Sequence, residues 1–286
     1  MQKMSVPSYA ELGKDARDLF NKGYNFGFLK VDTTSRSSGD TNVEFRTSAA
    51  HTIASGKIFG NLDIKYKIPN YGMTLTEKWN TDNMLGTIIE VRDQFAKGLT
   101  VILDTCYAPH AVKHSGKIKM EWANRNAKLN ADMSVDGGPL FNLSAVVNRE
   151  GWLLGAHAVF DVARNKFLGT NLAFGRQGID YTLHSYVNNS REFGGSLIHR
   201  AAHNVYLGAQ LGWNLGEPNT RFGLAVFYRP SKDLELRAKV SNESQIALAA
   251  THYLSNQLKL TFSTQFGLSE PYSGGHKLGM GLEFSP

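Results

Sequence analysis

One cysteine, Cys106, stands among 286 residues, so no intramolecular disulfide can form. Proline is scarce, at 8, whereas glycine reaches 28. No run of roughly 20 apolar residues occurs, so no segment reads as a membrane-crossing helix. The longest apolar stretches, such as Val101-Ile102-Leu103, break within a few positions. Met1 to Phe20 lacks the continuous apolar core of an export signal, and secretion is not expected. Basic runs of five or more are missing as well. The excess of 31 Lys and Arg over 25 Asp and Glu is spread along the chain. That spread argues against a nucleic-acid partner and leaves an anionic surface or an anionic solute.

Catalytic patterns are missing too. His110 and His114 lie four residues apart beside Pro109, without the metalloprotease His-Glu-x-x-His pattern. There is no phosphate loop, dinucleotide-binding glycine set or nucleophile elbow. Neither an enzyme, a cofactor nor a metal site is expected.

What the chain does have is period two. Leu258, Leu260, Phe262 and Phe266 alternate with Lys259, Thr261, Ser263 and Gln265. Leu278, Met280, Leu282 and Phe284 alternate with Lys277, Gly279, Gly281 and Glu283. Leu129 to Val135, Ile118 to Trp122, Val205 to Trp213 and Leu234 to Val240 repeat the pattern. Successive side chains of a strand point to opposite faces, so each segment carries one greasy and one polar face. Short turn clusters such as Gly216-Glu217-Pro218-Asn219 separate the segments and suit antiparallel neighbours. Between seventeen and twenty such strands are expected, with no composition shift to mark a domain boundary. Aromatics at segment ends, among them Trp79, Trp122, Trp152 and Trp213, fit the girdles of a membrane barrel. Alternation by itself leaves a soluble sandwich or barrel open as well.

Residues 8 to 22 break the pattern. Ser8-Tyr9-Ala10-Glu11 has the spacing of a capping box. Leu12, Ala16 and Leu19 fall on one helical face with Phe20 beside it, while Lys14, Arg17 and Asp18 lie off that face. Such a helix could lie on a membrane surface, dock as a cap or sit inside a pore. The expected division is residues 1–25 as N-terminal extension and amphipathic helix, and 26–286 as barrel.

Specific strings carry a resemblance. Val6-Pro7-Ser8-Tyr9-Ala10-Glu11-Leu12-Gly13-Lys14-Asp15-Ala16-Arg17-Asp18, Thr76-Glu77-Lys78-Trp79-Asn80-Thr81-Asp82-Asn83 and Gly274-Gly275-His276-Lys277-Leu278-Gly279-Met280-Gly281-Leu282-Glu283-Phe284 are the strongest. Through them the chain resembles the voltage-dependent anion channels, or mitochondrial porins, from about Val6 to Phe284. Met1-Gln2-Lys3 reads as a short extension before the usual start at Met4. The resemblance implies an all-β transmembrane barrel of nineteen strands, the number known for that family, with first and last parallel and the helix in the pore. It implies a voltage-gated channel of the mitochondrial outer membrane that passes ATP, ADP, phosphate and other small anions. Hexokinase, tubulin and Bcl-2-type proteins are the implied partners, with membrane lipid around the barrel and self-association as a further expectation. The competing reading is the related protein-translocating import barrel, which would be expected to have a longer N-terminal extension and a more acidic lumen. Two departures mark a divergent isoform. Thr100 replaces the lysine of a Gly-Leu-Lys tripeptide linked to nucleotide contact, and Pro230, Ser231 and Lys232 replace an acidic turn.

Parity and charge then nominate residues. Glu77 shares parity with Met73, Leu75 and Trp79, which puts a carboxylate on the lipid side, a costly placement that points to function. The resemblance assigns the matching glutamate a regulatory role. Lys14, Arg17 and Lys22 would attract anions if the helix lines the pore. Lys30, Lys65, Lys117, Lys119, Arg237 and Lys239 have polar-face parity and are expected in the lumen, offset by Asp63, Glu90, Asp104, Glu121, Asp132 and Glu235. Anion and nucleotide contacts are therefore expected to be diffuse, at Lys14, Arg17, Lys22, Lys30, Lys117 and Lys119. Lys277-x-Gly279-x-x-Leu282-x-Phe284 matches a mitochondrial β-sorting signal, and is equally a last strand.

Overall fold

The computed structural model describes residues 6–37, 42–111, 113–136, 138–218, 220–242, 244–267 and 276–286. The expected extension Met1-Gln2-Lys3 and the Gly274-Gly275 pair lie outside the described residues. Nineteen strands form one closed sheet. The first eight are β1 (Phe28–Arg36), β2 (Val43–Thr52), β3 (Ile58–Ile68), β4 (Met73–Asn80), β5 (Leu85–Arg92), β6 (Leu99–Ala108), β7 (Lys113–Ala123) and β8 (Ala127–Ser134). Seven follow: β9 (Leu140–Arg149), β10 (Trp152–Asp161), β11 (Lys166–Gln177), β12 (Tyr181–Asn188), β13 (Glu192–Ala202), β14 (Val205–Asn214) and β15 (Arg221–Ser231). The last four are β16 (Leu234–Ser241), β17 (Gln245–Tyr253), β18 (Leu258–Gly267) and β19 (Lys277–Phe284).

Each strand pairs antiparallel with its chain neighbour, as short turns require. An odd number of strands that reverse at every turn leaves the first and last running the same way. Closure must therefore be parallel, and β1 pairs β19 in parallel from Leu29↔Met280 to Thr33↔Phe284. At about 4.8 Å between strands and a tilt of about 40°, nineteen strands enclose a backbone diameter of roughly 35–40 Å. That is too wide for side chains to fill.

The exterior is apolar all round. Trp79, Leu103, Met120, Leu172, Leu211 and Phe262 are each between 41% and 60% exposed, on strands spread around the circumference. Large apolar side chains exposed in this way need a hydrocarbon solvent. A sandwich would have buried one such face against a second sheet; here a single sheet closes on itself. Among the described residues no helix is long and apolar enough to cross a membrane. The crossing is made by strands.

Among the described residues both packed clusters include the N-terminal segment, which splits in two. A 3₁₀ turn covers Tyr9–Glu11 and the helix α1 covers Lys14–Asn21. Gly13 separates them at φ 68°, a left-handed conformation that suits glycine. The expected capping box is present, with the Ser8 amide donating to Glu11 Oε2 at 2.7 Å and the Ser8 hydroxyl donating to the same oxygen at 3.0 Å. It closes the 3₁₀ turn rather than the start of α1.

Candidate functional site: the lumen and its docked helix

The apolar residues of the N-terminal segment face the inner wall. Leu12, Ala16, Leu19 and Phe20 are all at most 6% exposed. Val6 and Leu12 pack with Val146, Leu153 and Ala173, flanked by Tyr9 and Tyr186. Ala16, Leu19 and Phe20 pack with Ile198 and Ala225, flanked by Tyr206 and Phe227. The turn thus lies on β9 and β10, and α1 crosses β13, β14 and β15. Of the three placements open to such a helix, the structure adopts the one inside the barrel.

Glycines make room for it. A Cβ on Gly155 would press into Leu12 and Tyr9, and one on Gly208 would overlap Leu19. Backbone can approach closely only where no side chain stands between. Fully burying a leucine or phenylalanine is worth roughly 1.5–3 kcal/mol, so this apolar face dominates the docking.

Polar contacts hold the two ends. Lys128 Nζ lies 3.6 Å from Glu11 Oε2 and 3.7 Å from Glu121 Oε2. The Ser8 amide holds the Glu11 carboxyl below the usual glutamate range; burial opposes this, and the Ser8 hydroxyl and Lys128 add to it. At the other end Lys239 Nζ donates to the Phe20 carbonyl at 2.6 Å and sits 4.5 Å from the Tyr24 ring centroid. A cation at a helix C-terminus satisfies an orphan carbonyl and opposes the helix dipole. Burial pushes the Tyr24 hydroxyl up to about 12. The chain then returns to the wall: the Asn25 amide donates to Ser263 Oγ at 2.9 Å and the Gly27 amide to the Leu278 carbonyl at 2.8 Å.

The nominated cations do not form one site. Lys14, Arg17 and Lys22 are exposed on the lumen side of the helix. Arg17 donates to the carbonyls of Leu12 (2.7 Å) and Ala10, so it also ties α1 to the preceding turn. On the wall, Lys30 pairs with Asp32 at 2.7 Å and Lys119 with Asp104 at 2.7 Å. Lys14, Lys22 and Lys117 form no ion pair with a described residue. Lys117 stands on β7, away from the strands beneath α1. Arg237 and Lys239, read as free lumen cations, are engaged: Arg237 lies 4.6 Å over the Phe227 ring and 3.8 Å from Glu235.

Thr100 lies on the inner face of β6, across from Arg92 on β5 and Glu121 on β7. Glu77 is exposed on the outer face of β4, paired with Ile64 and Thr87. Thr87 Oγ1 donates to Glu77 Oε2 at 2.9 Å. Of the C-terminal set, Lys277 and Gly279 share the inner face and Leu282 and Phe284 the outer. Gly279 has a packing duty as well, since a Cβ there would overlap the Asn25 carbonyl. His110 and His114 are apart: the first lies 2.8 Å from Asn83 Nδ2, and the second, in β7, stacks on Tyr107 of β6. Sequence reasoning missed Lys128 and Lys239 as docking partners. Their parity showed the face, but no local signal tied them to the helix.

A closed barrel with a greasy exterior, a charged interior and a helix lying along its inner wall is a membrane pore. A model of the family described as Eukaryotic porin matches residues 5–279. The chain is 56% identical over 283 residues to the "Probable voltage-dependent anion-selective channel" of Caenorhabditis elegans, covering 99% of both chains. It is 42% identical to the "Voltage-dependent anion-selective channel" of Drosophila melanogaster, over 98% of this chain and 99% of that one. It is 44% identical to the "Non-selective voltage-gated ion channel VDAC2" of Meleagris gallopavo, over 97% and 93%. The chain belongs to the eukaryotic porin family.

Proposed function

We propose that this protein is a voltage-gated channel of the mitochondrial outer membrane that passes small anions and metabolites such as ATP, ADP and phosphate by diffusion. The observation that carries the reading is the helix inside the lumen, with Lys14 and Lys22 exposed there and unpaired by any described carboxylate. Charges in a confined aqueous space focus potential and raise the local concentration of counter-ions. The names of the relatives support the same reading.

Selectivity is weak. Lys30 and Lys119 are neutralised by Asp32 and Asp104, and a threonine stands at position 100. One relative's name, "Non-selective", fits that balance. A planar-bilayer recording under a salt gradient tests the proposal. Wild type gives a reversal potential of modest anion preference, and the double variant K14Q/K22Q moves it towards cations. No movement would remove the helix from selectivity. Lipid-facing regulation by Glu77, sorting through Lys277, Gly279, Leu282 and Phe284, and docking of hexokinase, tubulin or Bcl-2-type proteins belong to the same proposal. Import of an F284A variant into isolated mitochondria tests the sorting element.

A further inference from the structure

Charged side chains on the lipid face of a barrel are costly at mid-membrane and tolerable near the rim, where a long side chain can reach the headgroups. Two arginines are placed at one rim of this barrel. Arg149 ends β9, Trp152 begins β10 and Arg176 is the penultimate residue of β11. All three share the outward face, since Trp152 is the direct cross-strand partner of Arg149 on one side and of Arg176 on the other. All three are exposed.

The Arg176 guanidinium carbon lies 4.5 Å from the Trp152 ring centroid and 5.8 Å from that of Tyr181, which begins β12 at the same rim. Cation–π contact with both rings holds the guanidinium at the rim, where its N–H donors have no acceptor among the described residues. Neither the Arg149 nor the Arg176 guanidinium forms an ion pair or hydrogen bond with a described residue. In the two turns next to these strands at this rim, Glu150 and Asp180 lie beyond the strand ends.

Two residues deeper on the same face the register gives Val147, Leu154 and Phe174, again in direct cross-strand order. Leu154 is 62% exposed, and Phe174 packs under Trp152 with ring centroids 5.1 Å apart. A pair of unpaired cations thus sits directly above an apolar row. A soluble anion would use only the upper half of this surface. A phospholipid uses both, with its phosphate at the guanidiniums and its acyl chain along the row beneath.

We propose that Arg149, Trp152 and Arg176 form a headgroup clamp for an anionic phospholipid. The two arginines flank Trp152 from adjacent strands, so they stand about 10 Å apart along the rim, a span that brackets one headgroup. A zwitterionic headgroup adds no net charge and leaves the net charge of the arginine pair in place. An anionic headgroup offsets part of it.

The test uses the full chain in phosphatidylcholine nanodiscs containing a minor fraction of phosphatidylglycerol, with native mass spectrometry to count retained lipid. At the roughly fivefold in binding that each basic residue near a membrane surface contributes, R149Q and R176Q each weaken phosphatidylglycerol retention about fivefold, and the double variant about thirtyfold. Unchanged retention in a folded, conducting double variant overturns the clamp. Millimolar inorganic phosphate leaves retention unchanged; displacement by phosphate would make this a site for a soluble anion instead. A second measurement needs no arginine variant. The Trp152 fluorescence, taken as wild type minus W152F, is quenched more by brominated phosphatidylglycerol than by brominated phosphatidylcholine. Equal quenching also overturns the proposal.

Discussion

Two arcs of the inner wall differ in kind. Along β9 to β15 the inward positions include Val146, Leu153, Gly155, Ala173, Ile198, Gly208 and Ala225, small or apolar and covered by the N-terminal segment. Along β3 to β8 they include Asp63, Lys65, Lys78, Glu90, Asp104, Lys117, Lys119 and Glu121, charged and facing water, with Ile88 and Ile102 among them. The same backbone geometry serves both arcs. What separates them is whether the inner face meets a helix or solvent, and the side chains follow from that. The covered arc makes a binding surface for a part of the same chain, and the bare arc faces the open lumen.

The sharpest way to break this comparison is to fill a glycine on each side. G208L places a side chain where Leu19 now lies, so the helix must leave its seat, at a cost on the order of 2–4 kcal/mol. Trypsin should then cut at Lys14 and Arg17 much faster than in wild type. On the bare arc a Cβ at Gly86 meets Lys78 Cβ at 3.6 Å and the Thr105 carbonyl oxygen at 3.8 Å, both ordinary contacts, and G86L should leave that rate unchanged.

A smaller effect separates the lysines. K239M removes the cation from the Phe20 carbonyl and the Tyr24 ring, with a loss of about 1 kcal/mol of docking. Its readout is the same proteolysis rate. K117M leaves docking alone and moves the reversal potential towards cations. Equal effects of the two variants on proteolysis would erase the distinction between the arcs.

Acidity sharpens the comparison further. The folded carboxyl of Glu11 titrates below its ordinary value of 4.5, so its contribution is fully present above that pH. It is lost as pH falls through the lower folded value, when the Ser8 and Lys128 contacts meet a neutral acid. Release of the first turn should therefore rise as pH drops below about 4.5, and E11Q should abolish that dependence. Smallest of all on docking is E77Q, since Glu77 faces outward from β4. The helix should stay in place while reaction with an apolar carbodiimide disappears. Unchanged reactivity would remove Glu77 from the lipid face.

On the bare arc β7 and β8 were the legible strands. Leu129 to Val135 and Ile118 to Trp122 alternate cleanly because one face meets lipid and the other water. Strand β10 reads Trp152-Leu153-Leu154-Gly155-Ala156, with no polar face in its first half. That blur is the imprint of the helix: Leu153 and Gly155 point inward yet meet Leu12 and Tyr9 rather than water. The amphipathic face of Leu12, Ala16, Leu19 and Phe20 was equally plain, but a face does not name the surface that it covers.

Local pattern alone therefore carried between seventeen and twenty strands, their parity, the outward parity of Glu77 and a greasy-faced helix. These follow from the geometry of neighbouring residues on one strand or one turn of helix. Only the tertiary structure decided where that helix lies, and that Lys128 and Lys239 hold its ends. It also decided that Lys119 and Lys30 are neutralised while Lys117 is not, and that Arg149 and Arg176 stand on either side of Trp152. Each of these depends on register between strands or on contact across the lumen. A period of two records which face a residue takes and carries nothing about which distant residue shares that face.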